Sequence, residues 1–207
     1  AYLPNYEPPD RLAHHPDQLL RIRIRRFGEE HDPQLLHLTG AFVSLTEKAR
    51  VGLYPSPFYI ANFMFTRAET LKEVPLDPHY HFYGDEISYS ARLWTHGYDI
   101  FQADCVVMYH YWVRKGTMHL QHYRNTATPK SRRSLLRVRH LLGFSEAADR
   151  DALAEIDRYG LGNKRSLDDL WAFAGVDWNK RTIADDAHEG RWDMAAREKG
   201  MSKKKNA

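Results

Sequence analysis

A single cysteine, Cys105, in a chain of 207 residues leaves no intrachain disulfide and no cysteine zinc cage to build. A secreted disulfide scaffold is thereby excluded, and a reducing, cytoplasmic setting is expected. No stretch approaches the roughly 20 consecutive apolar residues of a membrane span, and no secretory leader pattern opens the chain. Charge of one sign is also in short supply. Thirty basic residues face 27 acidic ones for a net +3, too balanced a ratio to mark a nucleic-acid binder. Internal repeats are missing, as is any Asp-x-Asp or Asp-x-His within residues 1–75.

Aromatic residues are plentiful at 13%, with 5 Trp and 12 Tyr, alongside 12 His. Aromatics with one polar edge suit sugar and nucleotide surfaces, and they also fill ordinary cores. The chain opens at Ala1 without a methionine and runs directly into Tyr-Leu-Pro, so it is expected to be a piece of something longer.

Four prolines among the first 18 residues predict loop. From Leu20 to Phe27 apolar residues alternate with arginines, the period-2 pattern of a strand whose arginine face is either solvated or set against phosphates. His37–Leu45 and Phe58–Phe65 are β-branched and aromatic runs predicted as strands. Thr66 with Glu69 has the form of a capping box opening a short helix that Pro75 ends. A second helix is predicted over Asp85–His96, with Ile87, Ala91 and Trp94 on a packing stripe and Asp85, Ser88 and Arg92 on another face that can be presented to a cleft. Short strands are expected at Tyr98–Phe101 and Val106–Trp112, and helices over 129–142, 146–158 and 167–174. Cys105 has no motif around it and is expected as a packed small residue. Lys203–Lys205 belongs to a disordered end.

The chemistry concentrates in Phe82-Tyr83-Gly84-Asp85-Glu86, where two acids begin a helix directly after a glycine. There the chain can approach a ligand closely, and a carboxylate can accept a hydroxyl proton or hold sugar hydroxyls. The alternative is that the pair caps free amides and opposes the helix dipole. His79 and His81 alternate on an extended loop, a fair pair of metal ligands without a third, or a plain loop rim. Lys130, Arg132, Arg133, Arg137 and Arg139 form a basic run that either binds phosphate or RNA or is paired within the molecule.

Several blocks in one order resemble a known family: Gly84-Asp85-Glu86, Arg92-Leu93-Trp94-Thr95, Gly97-Tyr98-Asp99 and Tyr109-His110-Tyr111. Arg132-Arg133, Leu141-Leu142-Gly143, Tyr159-Gly160-Leu161-Gly162, Lys164-Arg165-Ser166 and Phe173-Ala174-Gly175-Val176-Asp177 continue it. They resemble the second half of a GT-A fold glycosyltransferase of the cytoplasmic type that transfers N-acetylglucosamine from its UDP-sugar to a protein hydroxyproline. The likeness covers most of residues 36–178. A more distant likeness is to the polypeptide N-acetylgalactosaminyltransferases, in which a histidine at the position of His110 ligates the catalytic manganese.

The resemblance implies an α/β fold: the acceptor-side half of a GT-A type nucleotide-diphospho-sugar transferase, with a C-terminal helical extension. The expected divisions are 1–128, 129–180 and a flexible tail over 181–207. Asp85 and Glu86 are expected at the catalytic centre, with Gly84, Arg92, Trp94, Tyr109 and Trp112 toward substrate and His110 on a divalent ion, Mn2+ or Mg2+. The implied partners are a UDP-sugar donor and a protein, peptide or glycan hydroxyl acceptor, with no membrane and no nucleic acid. The segment that opens with Tyr2-Leu3-Pro4-Asn5-Tyr6 is similar to the one that follows the family's acidic metal motif, so the nucleotide half is expected to be missing. The rivals are a catalytically incomplete carbohydrate- or protein-binding module and a phosphate or nucleic-acid binder built on the arginine-rich stretches.

Overall fold

The computed structural model describes residues 3–7, 11–12, 18–29, 32–44, 53–81, 84–103, 105–111, 128–146 and 149–192. These form a mixed α/β structure in which the strands pair as small antiparallel two-stranded sheets. Strands β1 (Tyr6–Glu7) and β2 (Arg11–Leu12) pair within the stretch expected as loop. Strands β3 (Gln18–Glu29) and β4 (Asp32–Ser44) make a long hairpin. Strand β5 (Tyr54–Ser56) pairs with β6 (Ile100–Gln102), and β7 (Val176–Asp177) with β8 (Thr182–Ile183). Helices α1 (Ala68–Glu73), α2 (Asp85–Thr95), α3 (Pro129–Leu141), α4 (Leu167–Ala174) and α5 (Asp185–His188) complete the described elements.

The hairpin follows from its pattern: Ile22 and Ile24 are fully buried while Arg25 and Arg26 lie outside. Burying apolar surface at about 25 cal/mol per Å² is what sets such a register. One cluster of buried side chains joins Ile22, Leu35, Phe58, Ile87, Ala91, Val138, Leu170, Ala187 and Trp192. Residues 181–192, placed with the tail in the sequence reading, therefore reach this core: Trp192 packs edge-on against Phe58 at 6.1 Å and donates to the Ala174 carbonyl.

Helix α2 runs through the middle. Ile87, Ala91 and Trp94 face the core as their spacing predicts, and every residue from Ile87 to Thr95 is buried. Its polar side chains are satisfied by backbone, as burial requires. Thr95 Oγ1 donates to the Ala91 carbonyl and accepts from Gly162 N–H at 2.9 Å. A side chain at 162 would meet the Thr95 carbonyl oxygen at 2.6 Å, so only glycine lets this turn close on the helix. Helix α3 starts at a Thr128 cap with Pro129 in its first turn, and α4 starts at a full Ser166–Asp169 capping box.

Several expectations fail for identifiable reasons. Phe58–Phe65 is not a strand. Its backbone donors go to side chains: Phe58 N–H to Ser56 Oγ, Tyr59 N–H to Ser90 Oγ at 2.8 Å, and Ala61 N–H to Glu86 Oε1 at 2.9 Å. The Thr66 capping box does not form, because α1 begins one residue later than that box requires, with Arg67 as an uncapped N-cap. Within the segment 146–158 expected as a helix, the described residues 149–158 make turns rather than an α-helix. Asp149 Oδ1 captures the amides of Asp151 and Ala152, and the carbonyls of Ala152 and Ala154 are drawn to buried Arg137.

Val106–Tyr111 makes no strand ladder among the described residues beyond one bridge between His110 and Asn5, with Val107 and Met108 exposed. Cys105 is exposed rather than packed. The arginine face of β3 is not simply solvated, since Arg21 is only 8% exposed.

Candidate functional site

Gly84 precedes α2 in the left-handed region, at φ 85°. It is buried, and a β-carbon there would sit 2.9 Å from Val138 Cγ1 of α3. The missing side chain lets the first turn of α2 lie directly against α3, which sets where Asp85 and Glu86 stand.

The two acids then part company. Glu86 is tied to the main chain, accepting the Ala61 amide. Asp85 lines a cavity of about 250 Å³ together with Tyr59, Ala61, Leu76, Asp77, Tyr80, Ser88, Tyr89 and Arg92. The helical face predicted from the spacing of Asp85, Ser88 and Arg92 is thus the face that borders this cavity.

Burial pushes the Asp85 carboxyl above its ordinary range, opposed in part by hydrogen bonds from its own and the Glu86 amide. Burial, followed by the nearby charges of Asp85 and Glu86, raises the Tyr59 phenol to about 12. Burial likewise raises that of Tyr80. Both phenols therefore keep their protons near neutral pH and stand as neutral hydroxyls beside a carboxylate. Tyr59 is held by two contacts, its amide on Ser90 and its ring edge-on to Tyr89 at 5.0 Å. Arg92 closes the back of the cavity, donating to the Pro75 carbonyl at 2.8 Å. Its guanidinium lies 5.4 Å from the Tyr159 ring centroid. Desolvation pulls its pKa below the ordinary arginine value.

Such a cavity can hold a polyhydroxylated ligand: a carboxylate accepts hydroxyl protons, tyrosine hydroxyls donate and accept, and aromatic faces cover the apolar side of a sugar ring. Trp94 does not line it. That indole donates to the Ser166 carbonyl at 3.0 Å and stacks on Phe173, with the Arg165 guanidinium 4.5 Å from its ring centroid. Tyr109 and His110 lie apart on the extended segment, where His110 exchanges backbone hydrogen bonds with Pro4 and Tyr6. Trp112 lies outside the described residues. Sequence reasoning missed Tyr59, Tyr80 and Tyr89. Tyr89 stands four residues after Asp85 and was legible from helical spacing; Tyr59 reaches the site only through Ser90, 31 residues away.

His79 faces Glu155 at 3.1 Å, and the His81 amide donates to Ser134 Oγ. Among the described residues no three His, Cys, Asp or Glu side chains converge to hold a metal ion. His79, His81 and His110 therefore belong to no such three-residue cluster among the described residues. The basic run on α3 is mostly engaged: Arg137 bonds Asp77 at 2.7 Å, Arg139 bonds Asp32 at 2.8 Å, and Arg133 pairs with Asp151.

Asp85, at the start of a buried helix, thus shares a small cavity with Tyr59, Tyr80 and Tyr89 in a mixed α/β chain. The family model "Glycosyltransferase (GlcNAc)" matches residues 1–180, and the chain belongs to this glycosyltransferase family. No curated protein and no solved structure matches it. No helix among the described residues is long and apolar enough to cross a membrane.

Proposed function

We propose that this chain is the acceptor-side half of a GT-A type glycosyltransferase that moves N-acetylglucosamine from a UDP-sugar to a hydroxyl of a protein, peptide or glycan, with hydroxyproline as the resembled acceptor. Family membership supports the class of reaction. The observation that carries the site is Asp85, a desolvated carboxyl on a tyrosine-lined cavity, where neighbouring Glu86 is occupied by a backbone amide. Asp85 accepts a hydroxyl of the sugar or acceptor and orients it, while Tyr59 and Tyr80 stay protonated and supply neutral hydroxyls. A retaining course, which the resemblance implies, does not require Asp85 to act as the single base of a displacement.

The resemblance also implies a divalent ion, Mn2+ or Mg2+, for which His110 would be one ligand and which would supply charge neutralisation for the donor diphosphate. The described residues lack a full ligand set, and no step here runs through the ion. The lone cysteine motivates a reducing, cytoplasmic setting. The pairing of Arg133, Arg137 and Arg139 with acids argues against a nucleic-acid face on α3.

The test is transfer or hydrolysis of UDP-N-acetylglucosamine by the protein that carries this chain. Asp85→Asn should lower turnover by about 100-fold or more, the scale of a lost positioned acid or base, with folding intact. Glu86→Gln should cost less, because an amide oxygen still accepts the Ala61 N–H. A near-wild-type rate in Asp85→Asn would return the pair to a helix-capping role.

A further inference from the structure

Away from the Asp85 cavity, β3 and the β5–β6 pair gather buried donors without an acceptor among the described residues. Arg21 and Arg23 alternate on β3 with fully buried Ile22 and Ile24, so both guanidinium groups leave one face, their Cα atoms roughly 7 Å apart. Arg21 is 8% exposed and lies over the Tyr54 ring, 3.8 Å from its centroid. Among the described residues neither arginine meets a carboxylate or a carbonyl, and the Nε of each is buried without a partner. Arg92, Arg137, Arg139 and Arg165 all have acceptors in the same molecule.

Gln102 adds a third donor. It is 2% exposed, and its Oε1 accepts the Ile22 amide at 2.7 Å, which fixes the orientation of the side-chain amide. Nε2 is thereby left as a buried donor with no acceptor among the described residues, as is the hydroxyl of Tyr54. Tyr54 and Gln102 are directly opposed across β5 and β6, so their side chains leave the same face of that sheet. None of these residues lines the Asp85 cavity.

Buried polar groups are normally paired, and a buried cation without an anion is costly. The geometry points to a binding site for a phosphoryl dianion formed by Arg21, Arg23, Tyr54 and Gln102. Two guanidinium groups match a phosphomonoester, which carries about −1.5 to −2 charges at pH 7 and three acceptor oxygens, better than they match a monovalent carboxylate. The tyrosine hydroxyl and the glutamine amide supply donors to the remaining oxygens. Two sources share this chemistry, a nucleotide diphosphate and a free phosphate or small phosphomonoester.

The experiment is calorimetric titration and thermal unfolding with sodium phosphate, glycerol 3-phosphate and UDP, against sodium chloride at matched ionic strength and without divalent ions. Because it reads binding alone, its failure leaves the transferase reading untouched. Saturable binding of phosphate, with stabilisation that grows with concentration as mass action requires, is expected. Tyr54→Phe keeps the ring beneath Arg21 and should weaken binding by about 10-fold, the loss of one hydrogen bond to a charged group.

Arg21→Met should abolish the phosphate response while the anion-free protein melts no lower, since an unpaired buried charge has gone. Gln102→Glu retains the acceptor for Ile22, replaces the orphan donor by a negative oxygen, and should both raise the anion-free melting temperature and suppress phosphate binding. UDP binding about 10-fold tighter than phosphate and lost in Arg21→Met would identify the diphosphate as the source; equal binding would identify free phosphate or a phosphomonoester. Chloride matching phosphate at equal ionic strength, or a phosphate response intact in Arg21→Met or Gln102→Glu, would overturn the assignment.

Discussion

Replacing Gly84 by alanine tests whether the site is positioned as described. Gly84 lies at φ 85°, and its added β-carbon would be 2.9 Å from Val138 Cγ1 and 3.0 Å from Val138 Cβ. Left-handed backbone costs an alanine about 1–2 kcal/mol. The clash adds the overpacking range of about 1–3 kcal/mol, because Val138 is fully buried and, being β-branched, strongly prefers one rotamer in a helix. The sum, about 2–5 kcal/mol, corresponds for a chain of this size to a fall in Tm of about 4–20 °C. Urea unfolding followed by tryptophan fluorescence measures it.

Val138→Ala in the same protein removes Cγ1, the nearest clashing atom, but leaves Cβ at 3.0 Å and the backbone cost. The double variant should therefore lose about 1–3 kcal/mol less than the two single variants together. Turnover supplies a second readout: α2 must shift to admit the methyl, and misplacing a positioning group by about 1 Å can cost 100-fold. A Gly84→Ala protein within about 0.5 kcal/mol of wild type, or strict additivity with Val138→Ala, would refute the close packing of α2 on α3 as what places Asp85.

The remaining expectations concern the groups around that helix. Asp85 holds a hydroxyl most strongly as a carboxylate, so turnover should rise with pH through a midpoint above the ordinary aspartate value of about 3.9, and a midpoint below that value would contradict its burial. Because the folded protein holds this proton more tightly than the unfolded chain, the stability it contributes is present below the unfolded pKa and fades as pH rises through the folded one. Urea melts of wild type and Asp85→Asn across that window should show the loss in wild type only. Arg137→Met leaves the buried Asp77 carboxylate without its bonded cation and with only the His79 amide as donor among the described residues, at a cost of about 3–5 kcal/mol by denaturant melts, and Asp77→Asn added to it should recover part; a loss under about 1 kcal/mol would mean water reaches the pair. Ser90→Ala removes the acceptor of the Tyr59 amide and should cost about 1–3 kcal/mol together with a drop in turnover, whereas lost stability with an unchanged rate would take Tyr59 out of the site.

Helices α2, α3 and α4 were legible because their information is local. Apolar residues recur three or four positions apart, Thr128 and Ser166 cap their own first turns, and Gly84 and Gly175 stand where a left-handed residue is required. The same spacing showed that Asp85, Ser88 and Arg92 share a face, and ordered blocks from Gly84 to Asp177 were enough to place the chain among glycosyltransferases.

What the chain order could not convey is where backbone donors and long side chains find partners far away. Phe58–Ala61 has the composition of a strand, yet its amides are taken by Ser90 and Glu86 of α2, and that choice brings Tyr59 to Asp85. Residues 146–158 have helical periodicity, yet Arg137 claims two of their carbonyls from within the core. The arginines of β3 read as a solvated face, but packing against β5 and β6 buries Arg21 over Tyr54. Local periodicity determines which residues share a face; only tertiary contact decides what that face meets, because a hydrogen bond across 31 or 60 residues leaves no periodic trace in the chain.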